Sequence, residues 1–169
     1  MTIHFMLILC GVFMDRDKIK WCFRLKDGLK IVEPNERLAK SYLEEAKLSL
    51  ARADKDFQDG DFLWTTVVIY YAEYYALYSF LQRIGVKCEN HFCSILAVAL
   101  LLGEEKTKTI NYHKGKRIDA QYYMKVGKEE DVKKMLQEAK MFVSMFDNIV
   151  ADLNEEEVNN YRVIFKKLK

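Results

Sequence analysis

The stretch Phe62 to Arg83, FLWTTVVIYYAEYYALYSFLQR, limits the possible folds more than any other part of the chain. Glu73 is the only charge between Asp61 and Arg83, and no glycine or proline interrupts the run. A helix that is apolar almost all the way round is either a membrane span or the centre of a bundle. Five tyrosines, the pair Thr65–Thr66 and a central glutamate suit hydrocarbon poorly. The bundle reading follows. Ala72 and Ala76, four apart, let a neighbouring helix approach closely. Tyr70, Tyr74 and Tyr78 form one row, with Tyr71 and Tyr75 beside it. A buried tyrosine hydroxyl needs a partner, and a buried carboxylate needs one more. Glu73, Tyr71 and Tyr75, together with His91, are therefore expected as polar groups of the core or of an interface.

The flanking sequence supports helices on both sides. Asn35 is placed to cap a helix that carries Glu36 in its first turn and runs to Phe57, with Gly60 ending it. Asp61 caps the apolar helix and Gly85 closes it. A third helix opens near Asn90–His91 and reaches Gly103. The polar connection EEKTKT leads to a fourth helical stretch, about 110–124, although Gly115 weakens it. A fifth runs through EEDVKKMLQEAKMFVSMFDNIVADL with apolar residues at helical spacing. Asn154 caps a last short helix, acidic at its start and basic at its end. The chain has one proline and seven glycines, too few breakers for a strand-and-turn fold. The expected architecture is all-α: an up-and-down antiparallel bundle of about five main helices. It divides into an arm over 1–34, a bundle over 35–153 and a C-terminal helix over 154–169.

The opening MTIHFMLILCGVFM lacks the basic residues and small-residue cleavage site of an export signal, and it is too short to span a bilayer as a helix. Met14 is the expected start of translation, with 1–13 an over-extended beginning. Net charge is +2, so any anion-binding surface must be local. The four cysteines form no CxxC pair, and a chain of 169 residues needs no staples; reduced thiols and a cytoplasmic location are expected. Cys88-x-x-His91-x-Cys93 is too cramped for structural zinc and lacks a fourth ligand, so no metal or other cofactor is expected.

In order along the chain, Leu38-Ala39-Lys40-Ser41-Tyr42, Asp59-Gly60-Asp61-Phe62, Ile69-Tyr70-Tyr71-Ala72-Glu73-Tyr74-Tyr75-Ala76, Gly85 with His91, Arg117-x-x-Ala120-x-Tyr122 and Ala139-x-x-Phe142-Val143 resemble the HEPN domains (higher eukaryotes and prokaryotes nucleotide-binding), in particular their small prokaryotic and archaeal members. The resemblance covers about 36–152. It implies a helical domain that acts as a homodimer, often paired with a minimal nucleotidyltransferase in toxin–antitoxin or defence systems. In the members that cut RNA it implies an arginine, four to six residues, and a histidine on the fourth helix.

Arg117 matches the arginine, and Tyr122 stands where the histidine belongs. A phenol with a pKa near 10 is a poor general base at neutral pH. Met124 replaces the tyrosine that follows in some members. The resemblance thus implies a nucleotide- or partner-binding module without catalysis. Arg117, His113, Lys116 and Tyr122 are its candidate phosphate-binding residues, with Lys114 in the same basic run. His113 and Arg117, four apart, would share a face if the helix is continuous. One alternative is a metal-independent ribonuclease using Arg117 with His113 or His91. Another is a purely structural oligomerisation protein. Expected partners are a second copy of the chain, a minimal nucleotidyltransferase, and a nucleotide or RNA; no membrane is expected.

Overall fold

A computed structural model describes residues 17–169; the expectations about Met14 and the residues before it lie outside these. Residues 17–24 are helical (α1) and lead through a turn to β1, Lys30–Ile31. Two long helices follow, α2, Glu36–Gln58, and α3, Phe62–Arg83. Then come β2, Val86–Lys87, α4, His91–Leu102, and a single 3-10 turn, Glu104–Thr107. The chain ends in α5, Lys108–Tyr123, α6, Glu129–Asp152, and α7, Glu155–Leu168. The architecture is the all-α bundle expected from the sequence, and no helix among the described residues is long and apolar enough to cross a membrane.

Caps form where the short polar residues stand. The Leu38 amide donates to Asn35 Oδ1, Trp64 to Asp61 Oδ1, and Cys93 to Asn90 Oδ1. Asn154 and Glu157 satisfy each other's backbone amides in a full capping box. Gly115 does not interrupt α5, which is continuous across it; neighbours on both sides hold the turn, and the propensity cost of one glycine is only about 1 kcal/mol.

α3 is the centre. It packs against α2, α6, α5 and α4, and sixteen of its residues are buried. Such a helix has no solvent side on which to place charges, which explains its composition. Around Tyr70, Ala72, Ala76, Leu77 and Phe80 gather Leu43 and Ala46 of α2, Ile95 and Val98 of α4, and Phe142 and Phe146 of α6.

The arm is more structured than its short alternation suggested. β1 pairs antiparallel with β2, Lys30 opposite Lys87 and Ile31 opposite Val86. Phe23 meets Phe165 of α7, and Arg162 of α7 donates to the carbonyls of Val32 and Ile84. Arm and α7 thus form one layer at the end of the bundle where α3 finishes. Gly85 is required there. Its φ is +74°, and a side chain would run into Arg162, the Val32 carbonyl and the Pro34 nitrogen.

The expectation of reduced thiols is corrected. Cys22 of α1 and Cys93 in the first turn of α4 form a disulfide across 71 residues, with Cα atoms 5.7 Å apart. Chain length says whether a core can exist without cross-links. It does not say whether an arm lying outside that core needs one. Cys88 is a free, buried thiol.

Candidate functional site

α3 and α5 meet along one seam, and two levels of it carry polar side chains. At the inner level His113 is fully buried, with Nδ1 2.7 Å from Glu73 Oε1 and Nε2 3.1 Å from Glu138 Oε2 of α6. Burial opposes charge on the ring, but hydrogen bonds and charges from Glu73 and then Glu138 outweigh it and raise the His113 pKa. When protonated, the ring donates from both nitrogens, one to Glu73 and one to Glu138. Burial raises the Glu73 carboxyl, with His113 pulling the other way. The second oxygen, Oε2, lies buried without a partner. His113 therefore does not share an anion-binding face with Arg117, although the two are four residues apart. Glu73, the lone acid of α3, takes the imidazole into the core.

One turn along the seam lies the outer level. Arg117 Cζ sits 4.9 Å from the ring centre of Tyr70 and 5.9 Å from that of Tyr71, and Nη1 donates to Gln121 Oε1 at 3.1 Å. Its Nε is buried and unpartnered. Among the described residues no carboxylate pairs with Arg117; Glu73 is committed to His113, and Asp119 makes no ion pair with it. Tyr70, fully buried, reaches from beneath Arg117 to His91, whose Nδ1 is 2.7 Å from the phenol oxygen. The His91 ring lies face to face on Tyr74, 3.8 Å between centres and 4° between planes. Tyr74 in turn meets the Ser94 hydroxyl.

Electrostatics assigns the protons. Burial, followed by the positive charges of Arg117 and Lys114, pushes His91 down to about 4, so the ring is neutral at pH 7. Burial pushes the Tyr70 phenol up to about 12, so it keeps its proton. Tyr70 O–H must then donate to His91 Nδ1, which leaves Nε2–H as a donor with no partner among the described residues. Lys114 is half-buried with its ammonium 5.6 Å over the Phe92 ring, and no carboxylate pairs with it there. Burial and then Arg117 lower its pKa.

Of the remaining candidates, only Tyr71 touches this level. Tyr122 is 66% exposed and makes no bond to Arg117; Lys116 is exposed over the Tyr112 ring. Tyr71 and Tyr75 are half-buried, the latter against Tyr42. From sequence His91 is a polar group of the core or of an interface, or the partner of Arg117 in a ribonuclease, and Tyr70 is one member of a row of tyrosines. Their junction with Arg117 has no local signature, because it joins three helices.

The arrangement has two cations without a counter-charge among the described residues and one neutral N–H donor at a partly open seam. Such a set is chemically suited to an anion, since charge-assisted bonds to a phosphate are the strong ones. It is less suited to proton transfer: an imidazole of pKa about 4 is a weak base and, at neutral pH, is not in the imidazolium form that could act as an acid. No group of three His, Cys, Asp or Glu among the described residues could hold a metal ion.

Comparison with curated proteins finds no match, and neither does comparison with solved structures. A family model does match, the HEPN domain, over residues 39–149. That span takes in α3, α4 and α5 with every residue of the seam just described, and the chain belongs to the HEPN domain family.

Proposed function

We propose that this protein is a non-catalytic HEPN module that binds a phosphate group, as part of a nucleotide or RNA, at Arg117, Lys114 and His91. The observation that carries the reading is the pair of cations beside His91 with no acid among the described residues to neutralise them. Burial and then the Arg117 charge lower the Lys114 pKa, and a bound phosphate would offset that repulsion. The reading makes the module a homodimer that pairs with a minimal nucleotidyltransferase in a toxin–antitoxin or defence-like system, and it rests for those partners on family membership alone. It also places the module in the cytoplasm. The Cys22–Cys93 bond must then resist reduction, and both cysteines are sealed from solvent.

The test is titration calorimetry with inorganic phosphate and ribose 5-phosphate against wild type and Arg117→Ala. Binding weakened at least tenfold by the substitution is expected; unchanged binding, or none by the wild type, defeats the reading. Sedimentation at micromolar concentration tests the dimer, and co-purification with a minimal nucleotidyltransferase tests the partner.

A second reading is favoured by one observation, that Arg117 and His91 share Tyr70. A metal-independent ribonuclease could use that pair if bound phosphate raised the His91 pKa. Cleavage of single-stranded RNA in the presence of a chelator, lost in both His91→Ala and Arg117→Ala, would establish it.

A further inference from the structure

The seam of cations opens at one end into a groove between α4 and α5. Thr107, Asn111, Lys114 and Arg117 are spaced four, three and three residues apart, so they form one stripe along α5 and the turn before it. At one end of the stripe stand Arg117 and Lys114 with His91. At the other lies a cavity of about 320 Å³, bordered by Phe92 and Ile95 of α4, Thr107 and Asn111, and Lys18 of the arm. From Asn111 to Arg117 the helix rises about 9 Å, a length comparable with a mononucleotide.

Two large rings stand at this boundary. Trp21 and Phe92 meet edge to face, 6.3 Å between centres, and each stays open to solvent, at 45% and 43% exposure. Their chain neighbours Cys22 and Cys93 are fully buried and joined by the disulfide. The covalent bond therefore fixes the two backbone segments that carry the rings and presents the pair ready-made. The Lys114 ammonium lies over Phe92, which places a phosphate-binding cation directly beside the aromatic surface.

We propose that Trp21 and Phe92 form a stacking platform for the base of a nucleoside phosphate whose phosphate is held by Arg117 and Lys114. The proposal rests on the phosphate-binding reading above and adds the chemical class of what the phosphate carries. Aromatic rings next to a cationic track are how proteins hold single nucleotides without reading their sequence, because every base has a π-face. Trp21 precedes the segment matched to the family, so the arm supplies one ring of this subsite and the family domain the other.

The chain has two tryptophans, Trp21 and Trp64. A Trp64→Phe background makes Trp21 the sole fluorescent reporter. In that background AMP should bind about tenfold more tightly than ribose 5-phosphate and quench the Trp21 emission. Trp21→Ala, measured by calorimetry, should remove the preference for AMP while leaving ribose 5-phosphate affinity unchanged. Phe92→Ala in the Trp64→Phe background, which also takes the ring from under the Lys114 ammonium, should lose more affinity for AMP than for ribose 5-phosphate. Phe92→Tyr should keep the preference. Because both rings are half-exposed, these truncations leave the core intact, which circular dichroism of each variant verifies. Reduction of the Cys22–Cys93 bond should lower AMP affinity selectively. Displacement of AMP by a short oligoadenylate assigns the nucleotide to an RNA chain, and failure to displace assigns it to a free nucleotide; either agrees with stacking. Equal affinities for AMP and ribose 5-phosphate overturn the platform and leave the phosphate site standing. If neither ligand binds, both proposals fall.

Discussion

The two histidines placed by the structure occupy opposite electrostatic situations, and each sets one side of the stability profile. His113 has a folded pKa above its unfolded value of 6.5, because two carboxylates hold its proton. Its contribution is complete below the unfolded pKa and is lost as pH rises through the folded one. Glu73, also raised by burial above its ordinary value of 4.5, acts in the same direction. His91 is depressed to about 4, so its contribution is present above 6.5 and lost as pH falls toward 4. Chemical denaturation across pH should therefore show His113→Leu flattening the alkaline limb and His91→Ala flattening the acid limb. Loss of the wrong limb in either variant would contradict the proton assignment. His113→Leu should also cost about 3 kcal/mol, because it strands the buried Glu73 carboxylate. The double variant Glu73→Leu, His113→Leu should recover much of that, since an apolar pair of similar volume replaces a desolvated ion pair. At the outer level, Arg117→Ala should raise the His91 pKa toward 6.5, read by NMR titration of the ring; an unmoved value would show that the two groups do not sense each other.

Among the elements, α3 was the most readable and α5 the least. A helix without a polar face can only be surrounded, and Phe62–Arg83 is surrounded. Asn35, Asp61 and Asn154 were recognisable as caps because short polar side chains reach back only a few residues, which makes capping a local interaction. α5 has no strong apolar stripe of its own, and its only buried residues are Ile110, His113 and Ala120. Which of its basic residues faced inward could not be read from spacing. His113 and Arg117 share a stripe in projection, yet one is drawn into the core by Glu73 and the other lies across Tyr70. The joint between α3 and β2 is more constrained. Gly85→Ala should destabilise by about 2 kcal/mol or more, from the positive φ together with the overlap with Arg162 and Val32. Thermal unfolding checks it, and a loss below half that size would mean the turn can relax. Asn154→Ala removes the capping box of α7 and should cost about 1 kcal/mol.

Over the whole molecule the chain is a family domain with an added layer. The match covers 39–149, while α1, β1 and α7 lie outside it and pack on one another through Phe23, Phe165 and Arg162. The disulfide fastens that layer to α4. Closing a loop of 71 residues should stabilise the fold by about 2–4 kcal/mol. Paired Cys22→Ser and Cys93→Ser substitutions should lower the denaturation midpoint accordingly, and an unchanged midpoint would mean that non-covalent packing alone holds the arm. The amino-acid sequence by itself determined the bundle, its central helix, its caps and its family. Those follow from periodicity, from short-range hydrogen bonding and from an ordered set of motifs, all of which are properties of neighbours along the chain. Only the tertiary structure decided that Cys22 meets Cys93, that His113 is buried between Glu73 and Glu138, and that His91, Tyr70, Lys114 and Arg117 share one seam. Each of these joins side chains from different helices. Their meeting depends on how the helices are rotated and packed against one another, which no single segment encodes.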